Sequence, residues 1–135
     1  MQIIAPIAIG TRSDLSGAVE TVADESVETI AVTVTGAGVA SGVSKFINGE
    51  ILKLVYDKGT INAASTLATK ETDSLEQIDS YDINAGSAVR YPRAAITGAS
   101  AGDNKWTPFP VHGSLTVSGT GCAASKACSI KVYWR

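Results

Sequence analysis

The sequence predicts an all-β protein, a single-domain antiparallel β-sandwich or a jelly-roll-like barrel of about seven or eight short strands. Three observations support this prediction. Charged residues make up only 18% of the chain, and Ala, Ser, Thr, Gly and Val take their place, which favours short strands and tight turns over long helices. Several segments alternate apolar and polar residues with the period of two that half-buried strands show. Clusters of turn-forming residues separate these segments, as in sandwiches and barrels.

Length and periodicity predict one domain preceded by an arm. A chain of 135 residues suits one domain. Residues 1–27 show no convincing period, and their first ten residues are apolar and interrupted by Pro6, so we expect an extended N-terminal arm or first strand before a β-domain at residues 28–135. The start lacks the basic region of a signal peptide, and no stretch reaches the ~20 apolar residues of a membrane span. We therefore expect no targeting function and no membrane partner.

The first strands are predicted from residues 28–83. Residues 28–35 alternate isoleucine and valine with threonine, and residues 46–57 are apolar at nearly every position, which indicates a strand central to a sheet. Asn48-Gly49 supplies a turn or a bulge there. A Thr-rich strand is expected at 65–72. Residues 73–83 suit either a short helix with a capping box or a strand with a bulge, and we favour the strand because an isolated helical turn fits a β chain poorly.

The remaining strands are predicted from the second half of the chain. Residues 89–93 are extended, and Pro92 restricts them to an edge or a strand end. A Gly- and Ser-containing loop at 97–105 follows. Residues 113–119 alternate cleanly, as do residues 129–135, in which Ile130, Val132 and Trp134 share one face. A turn-rich stretch joins the last two strands, so we expect them to form a hairpin.

The two cysteines flank this predicted hairpin loop. If the flanking strands pair, the α-carbons of Cys122 and Cys128 come within disulfide range. Closing so short a loop would stabilise the fold by about 2–2.5 kcal/mol on the chain-entropy model. Folding in a reducing cytosol would instead leave free thiols, which a later oxidising environment could convert to the disulfide. The sequence leaves both states open.

No motif predicts catalysis or a cofactor. His112 is the only histidine, and it stands in no nucleophile elbow, so we expect a surface or hydrogen-bonded histidine. Two cysteines and one histidine do not complete a four-ligand zinc site, and Gly36 and Gly38 lack the third glycine and the following helix of a phosphate loop. We therefore predict a non-enzymatic protein with no catalytic residue, no cofactor and no metal.

Charge argues against a nucleic-acid partner, since the net charge is −2 with a pI near 5.3, whereas such binders are normally basic. Residues 1–82 hold twelve acids and five bases, and residues 83–135 hold one acid and six bases. Either strands from both halves interleave and this asymmetry vanishes in space, or the subunit is bipolar and its basic edge meets an acidic neighbour.

Aromatic residues near arginine indicate an interface. Tyr91, Trp106 and Phe109 lie close in sequence to Arg90 and Arg93, and this combination supplies either interface anchors or a sugar-binding platform; we favour the interface. The apolar arm is expected to order against a neighbour, for example as an added strand. The residues predicted at interfaces are Ile3, Ile4, Pro6, Ile7, Arg90, Tyr91, Arg93, Lys105, Trp106 and Phe109.

Four segments carry a resemblance to a known group of proteins. They are Phe46 to Tyr56, Arg90 to Arg93, Pro110 to Val117 and Ser129 to Trp134. The first segment contains the Asn-Gly pair, and the second reads Arg-Tyr-Pro-Arg. Together they resemble small structural proteins encoded among the head genes of tailed bacteriophages. The resemblance covers roughly residues 28–135, and neither the N-terminal segment nor the loop between the cysteines is part of it.

The resemblance implies a virion component without enzymatic activity, most specifically a capsid decoration or cement protein. Its partner would be the major capsid protein, and the chain would self-associate as a homo-oligomer, for instance a trimer. It would lie on the capsid surface after assembly in the host cytoplasm. The alternatives are a tail, neck or fibre subunit, or a β-sandwich module that binds carbohydrate or another ligand.

Overall fold

The described part of the chain folds into ten β-strands. The computed structural model describes residues 25–95 and 106–135, and within these ranges the only helical element is a 3-10 turn at Ile83–Ala85. The strands are β1 (Ser26–Val34), β2 (Ala40–Val43), β3 (Ile47–Asp57), β4 (Thr66–Glu71), β5 (Gln77–Asp82), β6 (Ala88–Arg90), β7 (Arg93–Ala95), β8 (Trp106–Gly113), β9 (Leu115–Gly119) and β10 (Ala127–Trp134). The all-β prediction is confirmed. The expected count of about seven or eight strands was wrong, because the described residues form ten.

The additional strands are short or contain residues that conceal a strand pattern. β2 includes Ser41 and Gly42, which are residue types that favour turns. A Cβ at Gly42 would lie 2.6 Å from the carbonyl oxygen of Ala31, so glycine allows β2 to approach β1 closely. β8 contains Pro108 and Pro110, which cannot donate to a ladder, and β6 and β7 have three residues each, too few to show a period.

The strands form one antiparallel sheet that is nearly closed, like a barrel. Its order is β5–β4–β9–β2–β1–β10–β3–β8–β7, and β6 pairs with β3. β3 has eleven residues, so one of its edges accommodates two partners, β8 along Ile47–Ile51 and β6 along Leu54–Tyr56. β5 and β6 then meet through side chains instead of a backbone ladder. Of the two architectures left open by the sequence, the molecule adopts the barrel-like one.

Strands from the two halves of the chain interleave around this sheet. β9 lies between β4 and β2, and β10 lies between β1 and β3. The split between an acidic first half and a basic second half therefore does not persist as two separate sides of the molecule.

The core follows the predicted alternation. In β1, Ile30 and Val32 are fully buried, while Thr29, the residue before Ile30, is exposed. In β10, Ile130 and Val132 point to the same core. Each fully buried isoleucine or valine contributes about 1.5–3 kcal/mol to the hydrophobic stabilisation. The period of two thus defines which face of each strand packs inward.

β3 is central, as predicted, because it has partners on both edges. The Asn48-Gly49 pair forms neither a turn nor a bulge in the pairing with β8 and continues the strand. The irregularity lies farther along, in the pairing with β10, where Tyr133 opposes Lys53 and Trp134 opposes Ile51. That extra residue in β3 places both Ile51 and Leu54 in the core.

Residues 72–76 form the hairpin loop between β4 and β5. The preference for a strand at 73–83 is confirmed for residues 77–82, which form β5, whereas Ile83 begins the 3-10 turn. The helix with a capping box, which was the alternative for these residues, does not form. The N–H of Glu71 donates to the carbonyl of Glu76, and the N–H of Leu75 donates to the carbonyl of Glu71. Leu75 takes a left-handed backbone conformation with φ of 61°.

The predicted hairpin of the last two strands is wrong, because β1 and β2 lie between β9 and β10 in the sheet. The connecting residues 120–126 cross the β1–β2 turn and bond to it. The N–H of Cys122 donates to the carbonyl of Gly38, and the N–H of Ser125 donates to the carbonyl of Thr35. The premise that strand pairing brings the cysteines together is therefore not met.

Candidate functional site

The residues predicted at interfaces fall into three groups. Ile3, Ile4, Pro6, Ile7 and Lys105 lie outside the described residues, as does the rest of the predicted arm up to residue 24. Trp106 begins β8. Phe109 opposes Ile51 in β3 and is only 8% exposed, so it belongs to the core of this chain. Arg90, Tyr91 and Arg93 remain, and they lie together where β6 passes into β7.

Arg90 is held inside the fold by Asp79 of β5. Its Nε and Nη2 donate to the two carboxylate oxygens of Asp79 at 2.7 and 2.9 Å, a bidentate pair. The hydroxyl of Tyr56 donates to the same carboxylate at 2.8 Å. Arg90 also lies over the ring of Tyr81, 4.8 Å from its centre, and Tyr81 packs against Tyr56 with ring centres 4.9 Å apart. These four side chains span the gap between β5 and β6.

The electrostatics of this cluster match its geometry. Burial alone would raise the pKa of Asp79, but the hydrogen bonds from Arg90 and Tyr56 outweigh it and hold that pKa below its usual range. Burial, with the nearby charge of Asp79, raises the pKa of Tyr56 far above its usual value. The hydrogen bond to Asp79 also raises the pKa of Arg90. The cluster is thus an ionised pair with a neutral tyrosine, which suits structural closure of the barrel and supplies no acid–base group near neutral pH.

Tyr91 and Arg93 are the exposed part of this segment. Tyr91 is 61% exposed, and Val89 is 50% exposed two residues before it. The guanidinium of Arg93 lies 5.8 Å from the centre of the Tyr91 ring and donates to the carbonyls of Leu52 and Pro92. We call Val89, Tyr91 and Arg93 the β6–β7 edge. It presents an aromatic ring and a cation on a fixed backbone, which are the residue types that anchor protein interfaces.

A shallow groove accompanies the β6–β7 edge. It has a volume of about 420 Å³ and is lined by Asp79, Val89, Arg90, Tyr91 and Pro92. The paired Asp79 and Arg90 make much of its lining polar, and the exposed side chains of Tyr91 and Val89 add an aromatic and an aliphatic surface. The arrangement can accept a flat ring that also carries polar groups.

A second surface, which the sequence analysis did not single out, surrounds His112. This histidine is exposed, its Nδ1 lies 3.2 Å from Oδ1 of Asn48, and its ring meets that of Phe46 edge-on with centres 5.0 Å apart. Its backbone N–H donates to Glu71 at 2.9 Å. Phe46 is 60% exposed. In the sequence, this surface could have been predicted from Phe46, an aromatic residue that lies directly before a strand and next to turn-forming residues.

The cysteines are buried and present as free thiols. Burial is the main reason that the pKa of the Cys128 thiol rises to about 11, with smaller contributions from Cys122 and Asp57. A thiol with so high a pKa is a poor nucleophile at neutral pH. The disulfide between Cys122 and Cys128 stays a prediction for oxidising conditions.

Within residues 25–95 and 106–135, no group of His, Cys, Asp and Glu side chains is arranged to hold a metal ion, and no helix has the length and apolar character needed to cross a membrane. In comparisons with family models, curated proteins and solved structures, the chain matches none of them. The geometry of the surface is therefore what bears on function.

Proposed function

We propose that this chain is a non-enzymatic structural protein of a tailed-bacteriophage particle, and that it decorates the capsid by binding the major capsid protein. In this role it lies on the capsid surface after assembly in the host cytoplasm. The proposal has two supports, the resemblance of four sequence segments and the exposed β6–β7 edge.

The first support is the arrangement of the four resembling segments. Their strands are β3, β6 with β7, β8 with β9, and β10, and all of these except β9 are neighbours on one side of the sheet. Segments that lie far apart in sequence thus form one continuous scaffold. Packing of these strands against one another gives a physical reason for the four motifs to occur together in one chain.

The second support, which carries the proposal, is Tyr91. A tyrosine that is 61% exposed, beside Val89 and under Arg93, lies on a segment whose backbone is fixed by the Arg90–Asp79 pair. Rigid aromatic residues lose little conformational entropy on binding and frequently anchor interfaces. The β6–β7 edge is accordingly the surface that we assign to the capsid contact.

Binding to undecorated capsids tests this assignment. The purified chain is mixed with capsids of the phage that encodes it, and occupancy is measured after sedimentation. Tyr91→Ala should reduce occupancy by about tenfold or more at subsaturating protein, and Arg93→Glu should do the same. Lys126→Glu, an equal change of charge in the loop before β10, is the matched control and should bind normally. Unchanged binding of Tyr91→Ala would reject the assignment, and absence of wild-type binding would reject the decoration role.

A second candidate function is favoured by the groove beside Tyr91. An exposed aromatic ring next to a shallow polar-floored groove is also suited to stacking on a sugar ring. Binding on a glycan array that Tyr91→Ala abolishes, with no capsid binding, would support a carbohydrate-binding module instead. A ring-forming oligomer found in tails rather than heads would support a tail, neck or fibre subunit.

A further inference from the structure

The hairpin loop between β4 and β5 presents an apolar tip between carboxylates. Leu75 is 70% exposed, the highest exposure among the large hydrophobic residues of the described ranges. Asp73 and Glu76 lie on either side of it, and Glu71 closes the loop. We call residues 71–76 the acidic loop. It contains three carboxylates and no basic residue.

Hydrogen bonds within the acidic loop and one from His112 of β8 hold the loop in place. The carboxylate of Glu71 accepts from the hydroxyl of Ser74 at 2.6 Å and from the N–H of His112 at 2.9 Å. The hydroxyl of Ser74 also accepts from the N–H of Glu76 at 3.2 Å. Leu75 is thereby fixed in a left-handed conformation that a leucine adopts at a cost. Glycine or asparagine would suit this backbone better, so the fold itself gives no reason for a leucine here.

A complementary surface lies on the outer face of β1, β10 and β3. Val27, Tyr133 and Lys53 stand opposite one another across these three strands, and in the next row Lys131 stands between Thr29 and Val55. We call this surface the lysine wall, and it consists of Val27, Lys53, Lys131 and Tyr133. Val27 is 51% exposed, and Lys53 Nζ lies 4.6 Å above the centre of the Tyr133 ring. Two cations therefore flank a partly apolar patch.

We infer that the acidic loop of one copy docks on the lysine wall of a second copy. The charges and the apolar parts correspond, because Asp73 and Glu76 flank Leu75 just as Lys53 and Lys131 flank Tyr133. Opposite charges around a small apolar contact both steer association and fix its register.

A loop cannot reach the lysine wall of its own chain. Glu71 bonds the N–H of His112, which opposes Asn48 near one end of β3, so the loop is held at that end. Lys53 lies five residues farther along β3, a distance of roughly 16 Å along the strand at about 3.3 Å per residue. The contact is therefore between copies and joins two different surfaces. Such heterologous contacts close into rings when the rotation permits it.

The inference goes beyond the proposed function, because it uses neither the β6–β7 edge nor a capsid protein. Its test is carried out without capsids, so that failure of one proposal is distinguishable from failure of the other. Sedimentation velocity of the purified full chain over a range of concentrations should show a closed oligomer. Glu76→Lys and Lys131→Glu should each weaken association by about tenfold or more. The double variant that carries both changes should recover it, because the loop and the wall again have opposite charges.

Leu75→Asn separates docking from folding. Asparagine tolerates the left-handed backbone, so at concentrations too low for association this variant should melt at the same temperature as wild type or higher. At higher concentrations its association should be weaker by about tenfold. Val39→Asn is the matched control, since Val39 is 44% exposed in the β1–β2 connection, away from both surfaces. Its association should equal that of wild type. A wild-type chain that is monomeric at every concentration would overturn the inference. So would an oligomer that survives both single charge reversals, or a double variant that fails to recover.

Discussion

Arg90 of β6 and Asp79 of β5 join two strands of the sheet that share no backbone ladder. Their bidentate bond has lengths of 2.7 and 2.9 Å, and the Asp79 side chain is only 10% exposed whereas that of Arg90 is 38% exposed. The hydroxyl of Tyr56 bonds the same carboxylate from inside the barrel. A single carboxylate thus connects the core strand β3 with both borders of the gap.

Removing Arg90 should destabilise the fold more than removing another arginine. In Arg90→Leu, the carboxylate of Asp79 loses both bonds from the guanidinium and stays in a largely buried position, so we expect a loss of about 1–3 kcal/mol in the free energy of unfolding. Urea denaturation followed by fluorescence measures it. Arg93→Leu, which removes an exposed arginine from the same segment, should cost less than about 0.5 kcal/mol. Equal effects of the two changes would contradict the closing role of Arg90.

Stability should fall in acid because of Asp79. Its pKa is lower in the folded state than the unfolded value of about 3.9, as the bonds from Arg90 and Tyr56 outweigh the opposing effect of burial. The unfolded state therefore binds a proton first, and the stabilisation is complete above about pH 4 and is lost as pH falls through the folded pKa. Urea denaturation from pH 7 to pH 2 should show this loss.

Two variants isolate the acid response. Asp79→Asn should be less stable than wild type at pH 7 and should lose less stability in acid, since the titrating group is gone. Glu71→Gln should change the acid response less, because Glu71 lies at the surface, although bonds from Ser74 and His112 also lower its pKa. An Asp79→Asn protein that loses stability as steeply as wild type would assign the acid response elsewhere.

Gly49 should not tolerate a side chain. A Cβ there would lie 2.7 Å from the carbonyl carbon of Arg135 and even closer to its oxygen, and that oxygen accepts a bond from the N–H of Glu50. We expect Gly49→Ala to cost about 1–3 kcal/mol through this overlap. Gly36→Ala is the control, since its Cβ would come no nearer than 4.0 Å to Ser125, and thermal unfolding should show it near wild type.

Leu75→Asn should raise the stability of the isolated monomer. A left-handed leucine costs roughly 1–2 kcal/mol, and asparagine removes part of that cost, so we expect a gain of up to about 1 kcal/mol at concentrations where the chain does not associate. Urea denaturation of dilute protein measures the difference. A loss of stability would mean that Leu75 packs against its own chain more than its exposure indicates.

The thiols should be unreactive in the native protein. The pKa of Cys128 is raised to about 11, first by burial, and Cys122 is 8% exposed, so iodoacetamide at pH 8 should label neither cysteine at an appreciable rate. Unfolding in guanidinium should expose two reactive thiols. If unfolded protein without reductant shows none, the two cysteines have formed the disulfide.

The sequence allowed the strands to be predicted where side chains alternate, as at Ile30 and Val32 or at Ile130 and Val132, because burial of one strand face imposes that period. It did not allow strand order to be predicted. β9 and β10 follow each other along the chain, yet β1 and β2 separate them, because neighbours across a sheet are chosen by contacts distant in sequence. For the same reason Asp79 could not be matched with Arg90 from the sequence, although both residues are polar side chains in predicted strands.

The candidate surfaces were predicted in part. Tyr91 and Arg93 are exposed where Pro92 interrupts the strands, and this proline was the visible signal. Phe109, from the same aromatic group, is buried because β8 pairs with β3 and turns this residue inward. The lysine wall combines Lys53 with Lys131, which are 78 positions apart in the sequence. They come close only because β10 pairs with β3.

The position of β10 also bears on how the chain is made. β10 follows every other described strand in the sequence, yet it lies between β1 and β3, which are among the first. During synthesis both of those strands therefore keep an unpaired edge until β10 has been made, and such edges readily pair with other chains. Because pairing across so long a stretch of sequence is slow, we expect the insertion of this strand to be a late step in folding.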